Sequence, residues 1–256
     1  MSNSIYKELI NELKIESGDN LFISSDLKRL FRNAIKNKEK ADPNILLDSL
    51  KQTVGPEGTI LIPTYNWDFC KGLPFDYKTT PCKTGTLGIY ALKRDDFVRT
   101  KHPIYSFAVT GKLQKDFYNL NNIDSFSKDS PFELMNQYKF KNIIIDVSLC
   151  HSFTFVHYVE ECSNVVNYRY IKNFTSDYID EKNRQSKRTY SMFVRKLEIN
   201  VTNTVDPIIP NLKKASAMTE FDFEGIDIKV IDLAKSFDVI MDDIKYNGSK
   251  LICTHD

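Results

Sequence analysis

Residues 143–161 read IIIDVSLCHSFTFVHYVEE, and this stretch decides the fold. Its first five residues form a short apolar block rich in β-branched side chains, which predicts a buried strand. A helix is expected directly after it. In that helix Thr154, His157 and Glu160 or Glu161 lie three or four residues apart and share one face. The stretch therefore predicts an imidazole beside a carboxylate near the carboxyl end of a strand, where ligands bind in α/β sheets.

His157 has two interpretations at this point. An imidazole oriented by a carboxylate can take up a proton near neutral pH, because its ordinary pKa of ~6.5 lies close to physiological pH. His157 would then be a general base. Alternatively, His157 is a partly buried ring whose hydrogen bonds are satisfied by Glu160 on the next turn. Spacing alone leaves both interpretations open.

The chain before this stretch alternates between strand and helix patterns. Short apolar blocks at residues 20–23 and 59–63 predict strands, and helical spacing follows from Leu27 and from Asn44. This β-α-β rhythm predicts an α/β fold with a central mixed, largely parallel sheet that is flanked by helices.

The C-terminal part of the chain has a different pattern. Residues 167–171 and 189–199 alternate between apolar and polar side chains, as strands with one exposed face do. Residues 226–231 resemble an edge strand. We therefore expect a more antiparallel C-terminal part.

Two segments are candidates for ligand contact. Ser24, Ser25 and Asp26 follow the first predicted strand and precede a helix, where backbone N–H groups and hydroxyls can hold an anion such as phosphate. A plain helix N-cap is the alternative interpretation. The long loop from Tyr65 to Lys83 contains several aromatic side chains, and a loop of this kind beside a cleft commonly contacts substrate.

The charge of the chain is nearly balanced, with 35 basic and 34 acidic residues. Nothing in this balance requires a nucleic acid or an anionic membrane as partner. The five cysteines include no C-x-x-C pair, so neither a disulfide framework nor a zinc ribbon is predicted. The chain start lacks signal-peptide features, and no apolar run approaches the ~20 residues of a membrane helix. We expect a cytoplasmic protein.

Several short motifs follow one another along the chain: Ser24-Ser25-Asp26-Leu27, Gly55-Pro56-Glu57-Gly58-Thr59, Thr84-Gly85-Thr86-Leu87, Arg99 with His102-Pro103-x-x-Ser106 and Gly111, Ser130-Pro131, and Thr154-x-x-His157-x-x-Glu160. Their order resembles that of the aminoglycoside 3-N-acetyltransferase family, whose members are coenzyme-A-dependent enzymes. The resemblance covers residues 5 to 170 and, more weakly, the rest. It departs from the family at Ile23, where histidine is frequent, and at Asp146, where glycine is usual.

The resemblance implies roles for individual residues. It implies that His157 is the catalytic base and that Glu160 is its partner. It further implies four contacts with the acyl-coenzyme A co-substrate, at Ser24, Ser25, His102 and Ser106. We expect the acceptor to contact Tyr65, Trp67 and Thr154. From the resemblance we expect a single acyltransferase domain over residues 1–256. Its α/β core at 1–165 holds the cofactor and catalytic motifs, and the C-terminal strands and helices at 166–256 complete the fold.

The preferred acceptor is a nucleotide-linked aminodeoxysugar for bacterial surface polysaccharide, since relatives of this family acylate such sugars. The aromatic and lysine side chains of the 65–83 loop suit a base and a pyrophosphate. The donor is acetyl-coenzyme A or a longer acyl-coenzyme A, with no metal, and a homodimer is left open. One alternative is an antibiotic 3-N-acetyltransferase. Another is a metal-dependent hydrolase with His151, His157 and Glu160 or Glu161 as ligands.

Overall fold

A seven-stranded mixed sheet forms the centre of the computed structural model, which describes residues 4–255. In these residues the strands are β1 (Asn20–Ser25), β2 (Thr59–Pro63), β3 (Phe75–Asp76), β4 (Val98–Arg99), β5 (Phe107–Gly111), β6 (Lys141–Ile145), β7 (Arg169–Ile179), β8 (Gln185–Arg195), β9 (Val201–Asn203), β10 (Met218–Phe223), β11 (Ile226–Asp232) and β12 (Cys253–His255). The order in the large sheet is β10-β11-β6-β1-β2-β5-β4.

Helices cover both faces of this sheet. They are α1 (Ile5–Glu12), α2 (Lys28–Lys36), α3 (Pro43–Val54), α4 (Thr86–Ala91), α5 (Gln114–Asn119), α6 (Pro131–Gln137), α7 (Leu149–Ser152), α8 (Phe155–Ser163), α9 (Ile209–Lys214) and α10 (Leu233–Asn247), with 3₁₀ turns at Phe69–Lys71, Leu197–Ile199 and Asp206–Ile208. None of those helices combines the length and the apolar character needed to cross a bilayer. Helices α1 to α4 pack on one face, and α5 to α10 pack on the other.

Strand β1 shows why helices must cover both faces of the sheet. Successive side chains of a strand point to opposite faces. Phe22 joins the core beneath α6, α8 and α10, whereas Leu21 and Ile23 join the core beneath α1 and α3. All three side chains are at most 1% exposed. A short, continuous apolar block is therefore buried on both sides, as the sequence predicts.

Parallel pairing is confined to the middle of the sheet. Strand β1 pairs in parallel with β2 and with β6, and the crossover from β1 to β2 runs through α2 and α3. The other four pairings of the sheet are antiparallel. The predicted mixed α/β sheet flanked by helices is confirmed, but the sheet is not largely parallel. Strand β11, predicted to lie at an edge, is between β6 and β10 because β10 folds back on it.

A long hairpin extends from the C-terminal part. Strands β7 and β8 pair antiparallel from the Arg169–Arg195 pair to the Ile179–Gln185 pair, and β3 adds to β7. Asn164, in the left-handed conformation, ends α8, and the chain then turns into β7. This connection returns the start of β7 to the helix that carries His157.

Candidate active site

A cleft of about 410 Å³ opens at the carboxyl ends of the three central parallel strands. Parallel strands end at the same edge of a sheet, so the segments that follow β1, β2 and β6 meet there. Six of the predicted site residues line this cleft: Ser24, Ser25, Tyr65, Trp67, Thr154 and His157. The other lining residues are Pro63, Lys83, Thr84, Tyr105, Val147, Cys150, His151, Ser152, Phe153, Asn203 and Val205.

His157 lies on the first turn of α8 with one side toward the cleft. Its side chain is 21% exposed, and its ring lies 5.5 Å from that of Phe126, centroid to centroid, at an interplanar angle of 65°. Its Nδ1 lies 2.7 Å from Oε2 of Glu160, one turn further along the helix. The i,i+3 pairing predicted from the sequence is therefore present, and the ring remains open to the cleft.

Glu160 is a buried carboxylate with three partners. It is 1% exposed, and burial of a charge is unfavourable unless partners compensate. Besides His157, Tyr168 donates its hydroxyl to Oε1 at 2.8 Å, and Nε of Arg169 lies 2.8 Å from Oε2. Burial raises the pKa of Glu160, but the hydrogen bond with His157, the charge of His157 when the ring is protonated, and the charge of Arg169 outweigh it. The net pKa lies below its ordinary value, so Glu160 is ionised.

This environment defines the state of the imidazole. A carboxylate only accepts hydrogen bonds, so Nδ1 of His157 carries the hydrogen and Nε2 has the free lone pair. Burial lowers the pKa of His157, the charge of Arg169 lowers it further, and Glu160 only partly opposes them. The ring is neutral at pH 7. A neutral, oriented imidazole at the wall of a cleft has the state that a general base requires.

Arg169, Tyr168 and Asn203 are site residues that sequence reasoning missed. Asn203 lines the cleft, and its Oδ1 accepts a hydrogen bond from Nη2 of Arg169 at 2.9 Å. In the sequence, Tyr168 and Arg169 are two residues of an alternating strand pattern. The alternation predicts which face a residue occupies, but it carries no information about which helix lies against that face.

Two predicted cofactor contacts, His102 and Ser106, do not line this cleft. Ser106 is fully buried, donates to the carbonyl oxygen of Thr64 at 2.9 Å and accepts from Nε of Arg99 at 3.1 Å. His102 is 2% exposed, and its Nδ1 accepts from the backbone N–H of Tyr105 at 3.1 Å. Both side chains stabilise the loop between β4 and β5 from within, and their contact with coenzyme A stays a prediction.

The alternative metal site is not assembled either. Nδ1 of His151 lies 2.6 Å from Oγ of Ser148, and Glu160 is occupied by its ion pairs. Glu161 lies beside Asp124 instead of His157. Among the residues that the structure describes, no three His, Cys, Asp or Glu side chains form a group able to hold a metal ion.

The class of protein follows from comparison with protein families. Residues 33–245 match the family model described as aminoglycoside 3-N-acetyltransferase. The chain belongs to this family. As a member, it is an acyl-coenzyme-A-dependent N-acyltransferase, which confirms the enzyme class that the sequence resemblance implied. The metal-dependent hydrolase alternative is wrong.

Solved structures that resemble this chain share its fold. The sisomicin-bound AAC-VIa is 18% identical and superposes with a TM-score of 0.78 over 96% of this chain and 98% of that one. AAC-IIIb in a binary complex with CoASH is 15% identical, with a TM-score of 0.77 over 94% and 95% of the two chains. YokD from Bacillus subtilis is 17% identical, with a TM-score of 0.75 over 96% and 94%. Comparison with curated proteins gave no match.

Proposed function

We propose that this protein transfers an acyl group from acyl-coenzyme A to an amino group of an amino sugar, with His157 as the general base. The observation that carries the proposal is the neutral His157 ring, held by buried Glu160 on one side and open to the cleft on the other. A sugar amine is protonated at neutral pH and cannot attack a thioester until a base removes a proton.

The chemical step is a direct transfer between two bound substrates. Nε2 of His157 takes a proton from the ammonium group, and the nitrogen attacks the carbonyl carbon of the thioester. The N–C bond forms, the C–S bond breaks, and the coenzyme A thiolate takes the proton of the imidazolium. The nitrogen loses its second proton as the amide forms, and this proton passes to the free Nε2 and from there to solvent. Glu160 keeps the ring in one tautomer and stabilises its positive charge.

The donor is acyl-coenzyme A, and the polar residues of the cleft suit it. Ser24 and Ser25 are the last two residues of β1 and line the cleft, as does Lys83. Hydroxyl and ammonium groups are good partners for phosphate and amide oxygens. The similar structure of AAC-IIIb is a binary complex with CoASH. The acyl group is acetyl or a longer one, and the proposal retains the cytoplasmic location expected from the sequence.

The comparisons favour an aminoglycoside as the acceptor. The family is described by that activity, and one similar structure holds sisomicin. Neither the description of the family nor the ligand of that structure is a nucleotide sugar. An aminoglycoside 3-N-acetyltransferase is therefore the first candidate, ahead of the nucleotide-linked acceptor that sequence reasoning preferred.

One observation keeps a nucleotide-linked aminodeoxysugar of surface polysaccharide synthesis as the second candidate. None of the described residues that line the cleft is Asp or Glu, whereas Lys83 and two histidines are among them. A polycationic drug would find no opposite charge on this wall. Trp67 is 38% exposed at the cleft and can stack on a nucleobase.

A turnover screen read by thiol release tests the proposal. Acetyl-coenzyme A and longer acyl-coenzyme A donors are each paired with kanamycin-type drugs and with nucleotide-linked aminosugars. We expect release that requires both substrates and is lost in His157→Ala. Absence of acceptor-dependent release with every pair would refute the proposal, and the acceptor class with the higher kcat/KM decides between the candidates.

A further inference from the structure

We propose that Arg169 is a positioning residue for the transfer, which holds Glu160 against His157 and connects this pair to Asn203 in the cleft wall. The inference rests on the proposed role of His157 as general base. Arg169 does not line the cleft and is not a catalytic residue. It would act through Glu160.

The side chain of Arg169 contacts three segments that are remote in sequence. It is 4% exposed, and its Nε lies 2.8 Å from Oε2 of Glu160 on α8. Nη2 donates to Oδ1 of Asn203 on β9 at 2.9 Å, and Nη1 donates to the carbonyl oxygen of Phe193 on β8 at 3.2 Å. Nη1 and Nη2 therefore each have a hydrogen-bond partner, and Nε forms an ion pair with Glu160 without a hydrogen bond. These contacts hold the guanidinium between α8, β8 and β9.

The oxygen that Arg169 contacts is the oxygen that orients the base. Oε2 of Glu160 lies 2.7 Å from Nδ1 of His157 and 2.8 Å from Nε of Arg169. A carboxylate that is 1% exposed stays ionised only when cations or donors compensate for lost water. Tyr168 occupies the other oxygen. Without Arg169, the buried carboxylate would keep no permanent cation in contact.

Three charged groups act on His157. Glu160 lies on the same helix, Arg169 comes from β7, and Arg195 comes from β8. The two arginines lower the pKa of His157, and Glu160 raises it. Removal of Arg169 should therefore raise the pKa of His157 while it loosens the carboxylate that orients the ring. A residue that only stabilised the hairpin would change neither quantity in the folded protein.

The test uses the full chain with Arg169→Gln. We expect kcat to fall at least ~10-fold while KM for acyl-coenzyme A changes less than ~2-fold, because the base and not the donor site is disturbed. NMR titration of the His157 ring should show its pKa raised relative to wild type, because the lowering charge of Arg169 is gone. A folded Arg169→Gln protein with wild-type kcat, or with an unchanged His157 titration, would overturn the proposal.

Arg184→Gln is the matched control. Arg184 also pairs with a carboxylate on the hairpin, Asp180, through Nε at 2.8 Å and Nη2 at 2.7 Å. Arg184 adjoins the tip of the hairpin. The last residue pair at this tip, Ile179–Gln185, is ten pairs from the pair that contains Arg169, which is roughly 33 Å along the strand. We expect wild-type kcat and titration. If Arg169→Gln does not fold, Arg169→Lys replaces it in the test, because lysine keeps the positive charge but lacks the planar set of N–H donors of the guanidinium. A loss of kcat of at least ~3-fold in Arg169→Lys supports the proposal. Wild-type kcat in Arg169→Lys overturns it.

The NMR readout separates the two proposals. If the wild-type protein transfers no acyl group to any amine, the proposed function fails, but the titration of His157 in Arg169→Gln still reports whether Arg169 controls the pair. If the wild-type protein is active and the titration is unchanged, only the role of Arg169 fails.

Discussion

Two neighbouring glutamates on α8 have opposite electrostatic surroundings. Contacts with His157, Arg169 and Tyr168 keep the pKa of Glu160 below its ordinary value despite burial. Burial, reinforced by the charge of Asp124, raises the pKa of Glu161 to about 8. At neutral pH the first is ionised and the second is protonated. Successive residues of a helix are rotated by about 100° about its axis. Glu160 therefore faces Arg169, whereas Glu161 faces Asp124.

His157→Ala should lower kcat by ~10²–10⁴ because the variant has no group to deprotonate the acceptor amine. Coenzyme A should still raise the melting temperature of the variant, since a ligand that binds only the folded state stabilises it. Steady-state kinetics and thermal shifts with coenzyme A measure the two effects. Full activity in the variant would remove His157 from the mechanism.

Glu161→Gln should stabilise the protein at alkaline pH. The pKa of Glu161 is about 8 in the folded state against 4.5 ordinarily, so folding favours its protonated form. The stability that this provides is complete below pH 4.5 and is lost as pH rises through 8. Glutamine cannot ionise and avoids the loss. We expect a higher melting temperature than wild type at pH 9 and a similar one at pH 5.

Glu198→Gln serves as the control for this substitution. Glu198 is exposed, and its replacement removes the same charge without a buried partner. Its melting temperature should follow that of the wild type at both pH values. Equal stabilisation by the two substitutions at pH 9 would mean that net charge, and not the site of Glu161, is responsible.

At the scale of elements, α4 sets the position of the cleft wall that follows β2. A Cβ at Gly88 would lie 2.6 Å from the carbonyl oxygen of Pro63 and 2.6 Å from Sγ of Cys82. Pro63 lines the cleft. The absence of a side chain at Gly88 therefore allows α4 to contact the end of β2 directly. The distance between α4 and β2 determines where this wall of the cleft lies.

Gly88→Ala should lower the free energy of unfolding by about 1–3 kcal/mol, because the added methyl group overlaps a backbone atom that cannot move alone. Alanine is the better helix former by about 1 kcal/mol, so a surface glycine would show the opposite sign. Urea unfolding measures the change. Ile89→Ala, at a side chain 40% exposed on the same helix, is the control and should change the midpoint little. A raised midpoint in Gly88→Ala would contradict the predicted overlap.

At the scale of the whole molecule, the pKa of His157 depends on segments that are distant in the chain. Helix α8 supplies the ring and Glu160, and the hairpin of β7 and β8 supplies Arg169 and Arg195. Burial and the arginines together hold the ring neutral. The homodimer left open by the sequence stays a prediction, as does the division of the chain at residue 165.

The pH dependence of the wild-type enzyme should show this combined effect. The acid limb of kcat/KM for acyl-coenzyme A, at saturating acceptor, should lie below the ordinary histidine pKa of 6.5, because the pKa of His157 is lowered. Activity is lost as pH falls through that lowered pKa, since protonation removes the base. A limb at or above 6.5 would contradict the environment described for His157. The residual activity of His157→Ala should lack the limb.

The sequence by itself determined the features that depend on neighbours along the chain. Short continuous apolar blocks marked β1, β2 and β6, and the turn of a helix brought His157 to Glu160. These relations are set by backbone geometry over a few residues, so the pattern of side chains suffices to predict them. The ordered motifs likewise identified the family that the comparison confirmed.

Only the tertiary structure decided which remote residues complete the site. It buried Ser106 and His102 away from the cleft, and it placed Arg169 on the carboxylate that orients His157. It also placed β11 inside the sheet. Such contacts join segments separated by many residues, and they depend on how helices and hairpins pack as bodies. Local periodicity gives each segment its faces, but packing decides which face meets which partner.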